Sequence, residues 1–337
     1  MKPTIAITVG DYNGIGPEVA LKAVASPLLR RICTPVLVGP EVIFARVAIR
    51  SALRTRFVPF PSREGGNGRT VHVLEPPGND PVRFSPGKLS AYAGAAAGAA
   101  IRTSVDLVLG GGAGALVTAP VSKHALHLAG INAPGQTELL QRLTRSPSVA
   151  MILVCGSFRV GLVTIHTPVR NVARELTAGL LLERVTVIER ALRTDWRIRS
   201  PRIAVLALNP HAGEQGDIGN EEQRVIIPVT AALRKKGMRL EGPFPADAFF
   251  ARYTPGTYDA VIAMYHDQGL IPLKMTARGR AVNVSAGLPI VRTSPDHGTA
   301  FDIAGRSIAD PASMIEAVRT AVALSSHRRR TAREEAR

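Results

Sequence analysis

The sequence predicts an α/β fold built on a mostly parallel sheet, and three observations predict it. Short apolar runs alternate with helical stretches along the whole chain, the pattern that strand–helix–strand units leave in a sequence. The residues are 45% hydrophobic but only 4% aromatic. An interior of Ala, Val, Leu and Ile suits buried parallel strands under small-residue helices better than it suits a β-sandwich. Finally, 337 residues is long for a single core, so the chain is expected to form two lobes.

In chain order, Thr4 to Val9 reads as the first strand, ending at Gly10-Asp11. A turn at Gly14 to Gly16 follows, and Pro17 opens a helix, where its missing N–H costs nothing. Pro35 to Val38 is a second buried strand. Residues 55 to 87, rich in Pro, Gly and Arg, read as irregular surface with one strand at Val71 to Leu74. Ser90 is the expected N-cap of a long helix, Ala91 to Leu109, whose small residues allow close packing. Gly110 to Gly114 lead into a strand at Ala115 to Thr118, and two apolar runs follow at Val149 to Val154 and Val160 to Thr164. An amphipathic helix is expected at Val172 to Leu192, a strand at Ile203 to Leu208, a helix at Glu221 to Lys235 and a strand at Ala260 to Met264. No repeat or low-complexity linker interrupts this order, so the chain should pass between lobes rather than string two separate beads.

Lys and Arg number 42 against 26 Asp and Glu, a formal net charge of +16. The cations are mostly scattered Arg, with no aromatic interleaving and no nucleic-acid-reading motif, so no nucleic acid is expected. The field instead favours an anionic small molecule. The one dense basic run, His327-Arg328-Arg329-Arg330 with Arg333 and Arg337 beyond it, reads as a frayed, solvated terminus. Cys33 and Cys155 make no disulfide framework and flank apolar residues, which suits inert buried thiols in a reducing cytoplasm. No stretch approaches the ~20 apolar residues of a membrane helix, and the first apolar run is too short for a signal sequence.

Three histidines follow or end expected strands: His166 closes Gly161-Leu-Val-Thr-Ile-His, His211 lies just past Leu208, and His266 just past Met264. Ligands in open α/β sheets collect outside the carboxyl ends of strands, so three imidazoles delivered there are candidates for a divalent-metal site with an open position. Taken singly, each reads more readily as a structural histidine, and their spacing matches no local zinc motif. Asp267, beside His266, and Asp247 are candidates to orient an imidazole or move a proton; for Asp247 a helix cap is the better reading. Lys274, Asn283 and Arg292 form a cationic and polar set suited to a phosphate or carboxylate, Arg292 by a two-pronged bond. The glycines at 10, 14 and 16 do not form the dinucleotide fingerprint, and those at 110 to 114 lack its strand–turn–helix order.

At these residues the chain resembles the 4-hydroxythreonine-4-phosphate dehydrogenase family. The resemblance rests on Thr8-Val-Gly-Asp-Tyr-Asn-Gly-Ile-Gly-Pro-Glu18, Thr118-Ala-Pro-Val-Ser-Lys123, Pro134-Gly-Gln-Thr-Glu138 and Asn209-Pro-His-Ala-Gly-Glu214. It continues through Ala263-Met-Tyr-His-Asp-Gln-Gly269 and Gly287-Leu-Pro-Ile-Val-Arg-Thr-Ser-Pro-Asp-His-Gly-Thr-Ala300. Blocks in this order along nearly the whole chain are not a chance pattern. The resemblance implies a two-lobed isocitrate/isopropylmalate dehydrogenase-like fold with a cleft between the lobes. The first lobe, on the cofactor side, would comprise residues 1–125 with 270–337; the second, on the metal and dimer side, residues 126–269. It implies a homodimer whose metal site is shared between subunits, with His166, His211 and His266 as ligands of zinc, magnesium or cobalt. NAD or NADP would be the oxidant, at contacts the sequence does not identify.

Gln136, Thr137, Lys274, Asn283 and Arg292 occupy the family's substrate-contacting positions, and Lys274 and Asp267 are the candidate catalytic groups. The implied reaction oxidises 4-phosphooxy-L-threonine to 2-amino-3-oxo-4-phosphooxybutanoate. That product decarboxylates to 3-amino-2-oxopropyl phosphate on the way to pyridoxal phosphate (vitamin B6). One departure matters: Gln136 stands where the family commonly has His, and an amide cannot become cationic. Asp217 also replaces a frequent His. A related dehydrogenase acting on a phosphorylated sugar acid or a cyclic dihydrodiol is therefore the alternative expectation.

Overall fold

The computed structural model describes residues 2–62, 70–78 and 81–335. Twelve strands lie within them: β1 (Thr4–Thr8), β2 (Thr34–Val38), β3 (Arg56–Pro59), β4 (Thr70–Leu74), β5 (Ala115–Val117), β6 (Ala150–Cys155), β7 (Phe158–Leu162), β8 (Arg202–Leu206), β9 (Arg239–Phe244), β10 (Ala260–Ala263), β11 (Val282–Ala286) and β12 (Arg292–Pro295). The chain divides into two units, Met1–Ser146 with Leu288–Ser326, and Pro147–Gly287 with His327–Arg337. The junctions expected after residues 125 and 269 fall inside two helices, Lys123–Leu128 and His266–Ala277.

In the first unit the strand order is β3-β4-β2-β1-β5-β12. Every neighbouring pair there is parallel. The central strands read as continuous apolar runs because both of their faces are covered: Ile5, Ile7, Val36, Leu37, Leu116 and Val117 are fully buried. The helix Ala91–Leu109 packs against the helix Lys123–Leu128. Gly94 makes that approach possible, since a Cβ there would run into the Ala125 carbonyl. Ser90 is the N-cap residue as expected, although its side chain makes no capping bond.

In the second unit the order is β11-β6-β7-β10-β8-β9. β6 pairs antiparallel with both β11 and β7, so the two apolar runs near 150 and 160 form a hairpin. The pairs β7–β10, β10–β8 and β8–β9 are parallel. Leu162, Leu206, Val261 and Ala263 bury one face of these strands against Leu270 and Leu273 of the helix His266–Ala277. Each of the Leu and Val side chains contributes about 1.5–3 kcal/mol.

Several expectations change. β3 lies inside the stretch expected to be irregular, of which 63–69 and 79–80 fall outside the described residues. The helices Pro27–Ile32 and Glu41–Arg50 go beyond the elements the sequence predicts. The helix expected over 172–192 is two, Val169–Glu175 and Ala178–Thr194. The second starts afresh because the Thr177 hydroxyl accepts the Leu180 N–H as an N-cap. The helix near Glu221 opens with a wide π-type turn, Glu222–Ile226, before Ile227–Lys235.

The basic terminus is not frayed through its described part. It ends the helix Ala312–Glu335, and Arg328 donates to both carboxylate oxygens of buried Asp195 at 2.6 and 2.9 Å. A buried carboxylate needs such a partner, and Arg328 belongs to the same unit as Asp195. Arg337 lies outside the described residues. Cys33 is buried, and burial pushes its thiol up to about 12. Cys155 is half-buried, and neither cysteine forms a disulfide. No helix among the described residues is long and apolar enough to cross a membrane.

Candidate active site

The register of the second unit explains how two histidines meet. β7 and β10 run parallel with Leu162 opposite Ala263, so their carboxyl ends finish side by side. The ladder continues past both: Val163 N–H donates to Ala263 O and Thr164 N–H to Met264 O, at 3.0 and 3.1 Å. The Thr164 hydroxyl adds a bond to Met264 O at 2.7 Å. His166 follows two residues later, and His266 opens the next helix. Their rings stand 6.2 Å apart between centroids, at an interplanar angle of 40°. Two imidazoles on one ion, each nitrogen at about 2.1 Å, have centroids roughly 5–6 Å apart, so the pair suits a shared divalent cation with slight closing. His266 Nδ1 contacts the Asp267 carboxylate at 2.6 Å, which leaves Nε2 for a ligand. Asp267 is thereby placed as the orienter of an imidazole, the arrangement common behind metal-bound histidine.

His211 leaves the same edge, beyond the carboxyl end of β8, the parallel neighbour of β10 on its other side. Its backbone is unusual. His211, Ala212, Gly213, Glu214 and Gln215 are all left-handed, with φ of 52°, 54°, 78°, 43° and 60°. Glu222, 1% exposed, holds this loop at its root. One of its carboxylate oxygens accepts from Leu208 N–H and Asn209 N–H at 2.7 and 2.8 Å, the other from the Asn209 amide at 2.9 Å. Buried Gln268 ties the two loops together: its oxygen accepts from Met264 N–H at 2.7 Å and its amide donates to Ala207 O at 2.6 Å. Among the described residues no group of three His, Cys, Asp or Glu side chains gathers as one metal site, so His211 does not complete the His166–His266 pair within one chain.

Lys274 stands exposed about two turns along the helix that His266 opens. Asn283 is the second residue of β11, opposite Leu153. Its side-chain oxygen is buried and has no hydrogen-bond partner, an acceptor left open to a ligand.

The first unit holds the other half of the expected residues. Arg292 opens β12 and is 2% exposed. Its Nε and one terminal nitrogen donate to the Thr118 hydroxyl at 3.1 and 2.6 Å, and the latter nitrogen also donates to the Gln136 side-chain oxygen at 3.2 Å. Burial lowers the guanidinium to about 10, which still leaves it a cation at neutral pH, and Glu138 opposes the fall. Gln136 opens the helix Gln136–Leu143, donates to Ala119 O at 3.5 Å, and is followed by buried Thr137. A fixed cation, a helix N-terminus and a buried hydroxyl make a cradle suited to an anion.

Residues 31–321 match the family model described as pyridoxal phosphate biosynthetic protein PdxA. The chain belongs to the PdxA family. As a member it is a dehydrogenase. It is 43% identical over 332 residues to D-threonate 4-phosphate dehydrogenase of Cupriavidus necator, covering 97% of this chain and 98% of that one. It is 43% identical over 319 residues to 4-hydroxythreonine-4-phosphate dehydrogenase of Geobacter metallireducens, covering 94% of each. The solved 4-hydroxythreonine-4-phosphate dehydrogenase of Klebsiella pneumoniae superposes with a TM-score of 0.88 at 40% identity, over 96% of this chain and 98% of that one. In this PdxA chain, sequence reasoning passed over Thr118, Glu222 and Gln268. A buried acid beside a half-buried one, as in Glu221-Glu222, carries no local mark of its burial.

Proposed function

We propose that the chain oxidises 4-phosphooxy-L-threonine with NAD or NADP to 2-amino-3-oxo-4-phosphooxybutanoate, which loses carbon dioxide to give 3-amino-2-oxopropyl phosphate, a step of pyridoxal phosphate synthesis. The observation that carries this reading is the buried Arg292 guanidinium, which donates to Thr118 and Gln136 beside a helix N-terminus. Its planar set of N–H donors suits a phosphate or carboxylate.

Arg292 and Thr137 would bind the anionic end of the substrate, and the open oxygen of Asn283 would accept from a substrate amino or hydroxyl group. His166 and His266, with His211 of a second copy in a homodimer, would hold zinc, magnesium or cobalt. That cation, when bound, supplies Lewis-acid stabilisation of the charge developing on the C3 oxygen. Asp267 holds the ring of His266, which leaves Lys274 the better candidate to take the proton from the C3 hydroxyl. The nicotinamide ring, when bound, accepts the C3 hydride. The resulting ketone is β to the carboxylate, and this placement makes loss of carbon dioxide easy. The cytoplasm suits the free thiols and the cofactor.

A second reading is favoured by a specific observation. The relative acting on D-threonate 4-phosphate is as similar as those acting on the amino acid, and position 136 is a neutral Gln. Both substrates are four-carbon 4-phosphorylated acids with a C3 hydroxyl and differ at C2. Initial rates of NAD and NADP reduction with each compound, after chelation and with zinc, magnesium or cobalt restored, decide between them. Full activity in the chelated enzyme would refute the metal role, and no reduction with either compound would refute the reading as a whole.

A further inference from the structure

The segment Thr118–Ser122 faces two ways. Toward the anion cradle it supplies the Thr118 hydroxyl to Arg292 and the Ala119 carbonyl to Gln136. On the other side it is stitched to the loop that leaves β1. The fully buried Thr8 hydroxyl accepts the Ala119 N–H at 3.1 Å, and the Asp11 N–H donates to Pro120 O at 2.9 Å. Gly10, at φ +68°, lets the two backbones touch; a Cβ there would collide with the Pro120 carbonyl.

The Asp11 side chain closes this seam. It is 0% exposed, and one oxygen accepts the Asn13 N–H at 3.0 Å. Its second oxygen is buried without a partner. Burying a carboxyl this deeply is costly unless the position it enforces matters. Ser122 caps the helix Lys123–Leu128 by accepting the Ala125 N–H at 3.2 Å, and the Asp11 N–H holds Pro120 two residues before it. Thr8 pins its near end.

We propose that Asp11, with Thr8, is a positioning residue for the anion cradle: through Thr118–Ser122 it sets where Arg292 and Gln136 present their donors, and so sets affinity for the phosphorylated substrate. The inference rests on the proposed function only for the choice of substrate, and binding of inorganic phosphate tests it independently. In the full-length enzyme, Asp11→Ala raises KM for 4-phosphooxy-L-threonine about tenfold, the effect of one hydrogen bond, with kcat within twofold. The thermal shift produced by inorganic phosphate falls by at least half. Asp11→Asn, which keeps the acceptor for Asn13, recovers most of both losses. Thr8→Val, which removes only the hold on Ala119, raises KM in the same way and carries the test if the Ala variant does not fold. Wild-type KM and phosphate shift in folded Asp11→Ala and Thr8→Val would overturn the proposal. So would an equal loss of kcat in the Ala and Asn variants. A wild-type enzyme that binds phosphate through this seam yet reduces no cofactor with the substrate would sink the proposed function alone.

Discussion

Replacing Glu222 by Gln tests how the chain sustains the left-handed turn that carries His211. Four of the five turn residues are not glycine, and each left-handed L-residue costs roughly 1–2 kcal/mol, about 4–8 kcal/mol in all. Glu222 supplies three hydrogen bonds to a buried carboxylate at the root of that loop, each worth about 1.5–3 kcal/mol, a similar range. In Glu222→Gln the remaining oxygen keeps Leu208 and Asn209 without the help of charge, which is about half of each bond. The new NH2 faces the Asn209 amide, donor against donor. The loss sums to about 4 kcal/mol. At about 2.1 cal/mol/K of unfolding entropy per residue, 337 residues make that a fall of about 6 °C in melting temperature, read by circular dichroism or calorimetry. Glu221→Gln is the control: Glu221 is only half-buried, and its bond to Asn209 holds its carboxyl below the usual range. That change costs less than about 1 kcal/mol. Below the melting transition, zinc affinity of Glu222→Gln falls about 10–100-fold if His211 is a ligand. A melting temperature within about 3 °C of wild type would refute the claim that Glu222 sustains the turn.

His266→Ala abolishes both turnover and bound metal while leaving the circular dichroism spectrum unchanged; metal analysis of the purified variant checks it, and retained activity would break the metal reading. Gln136→His introduces an imidazole whose value the adjacent Arg292 cation lowers from the ordinary ~6.5, so the ratio of variant to wild-type KM falls as pH drops from 8 to 5.5. A constant ratio would mean position 136 does not feel the substrate's charge. Burial raises the Asp11 carboxyl from its ordinary 3.8 to about 6. The stability it contributes is therefore fully present below about pH 4 and lost as pH rises through about 6, a change on the order of 3 kcal/mol. Denaturant titrations at pH 5 and 8 should show about 1.4 kcal/mol of this loss in the wild type and its absence in Asp11→Asn.

What could be read from the sequence follows from the range of the forces involved. Strand and helix alternation is a local property, and so β1, β2 and the helix Ala91–Leu109 were predicted within a residue or so. The meeting of His166 and His266 was foreseeable only because β7 and β10 are parallel neighbours in register, which brings their ends together whatever the loops do. Contacts set by three-dimensional partners left no such trace. Thr118 lies 174 residues from Arg292, and nothing in Thr-Ala-Pro-Val marks its hydroxyl as the anchor of a guanidinium. Asp195 lies 133 residues before Arg328, so a run of arginines that reads as solvated terminus becomes a helix end held by a buried carboxylate. The left-handed turn at His211 is the extreme case, because local preference argues against it at four residues, and side chains reaching in from the next helix, Glu222 at its root and Gln223 at the Gln215 carbonyl, offset that preference. The positions where local preference and observed backbone conflict are therefore where function should be sought, and His211 and its carboxylate support are the sharpest such conflict in the chain.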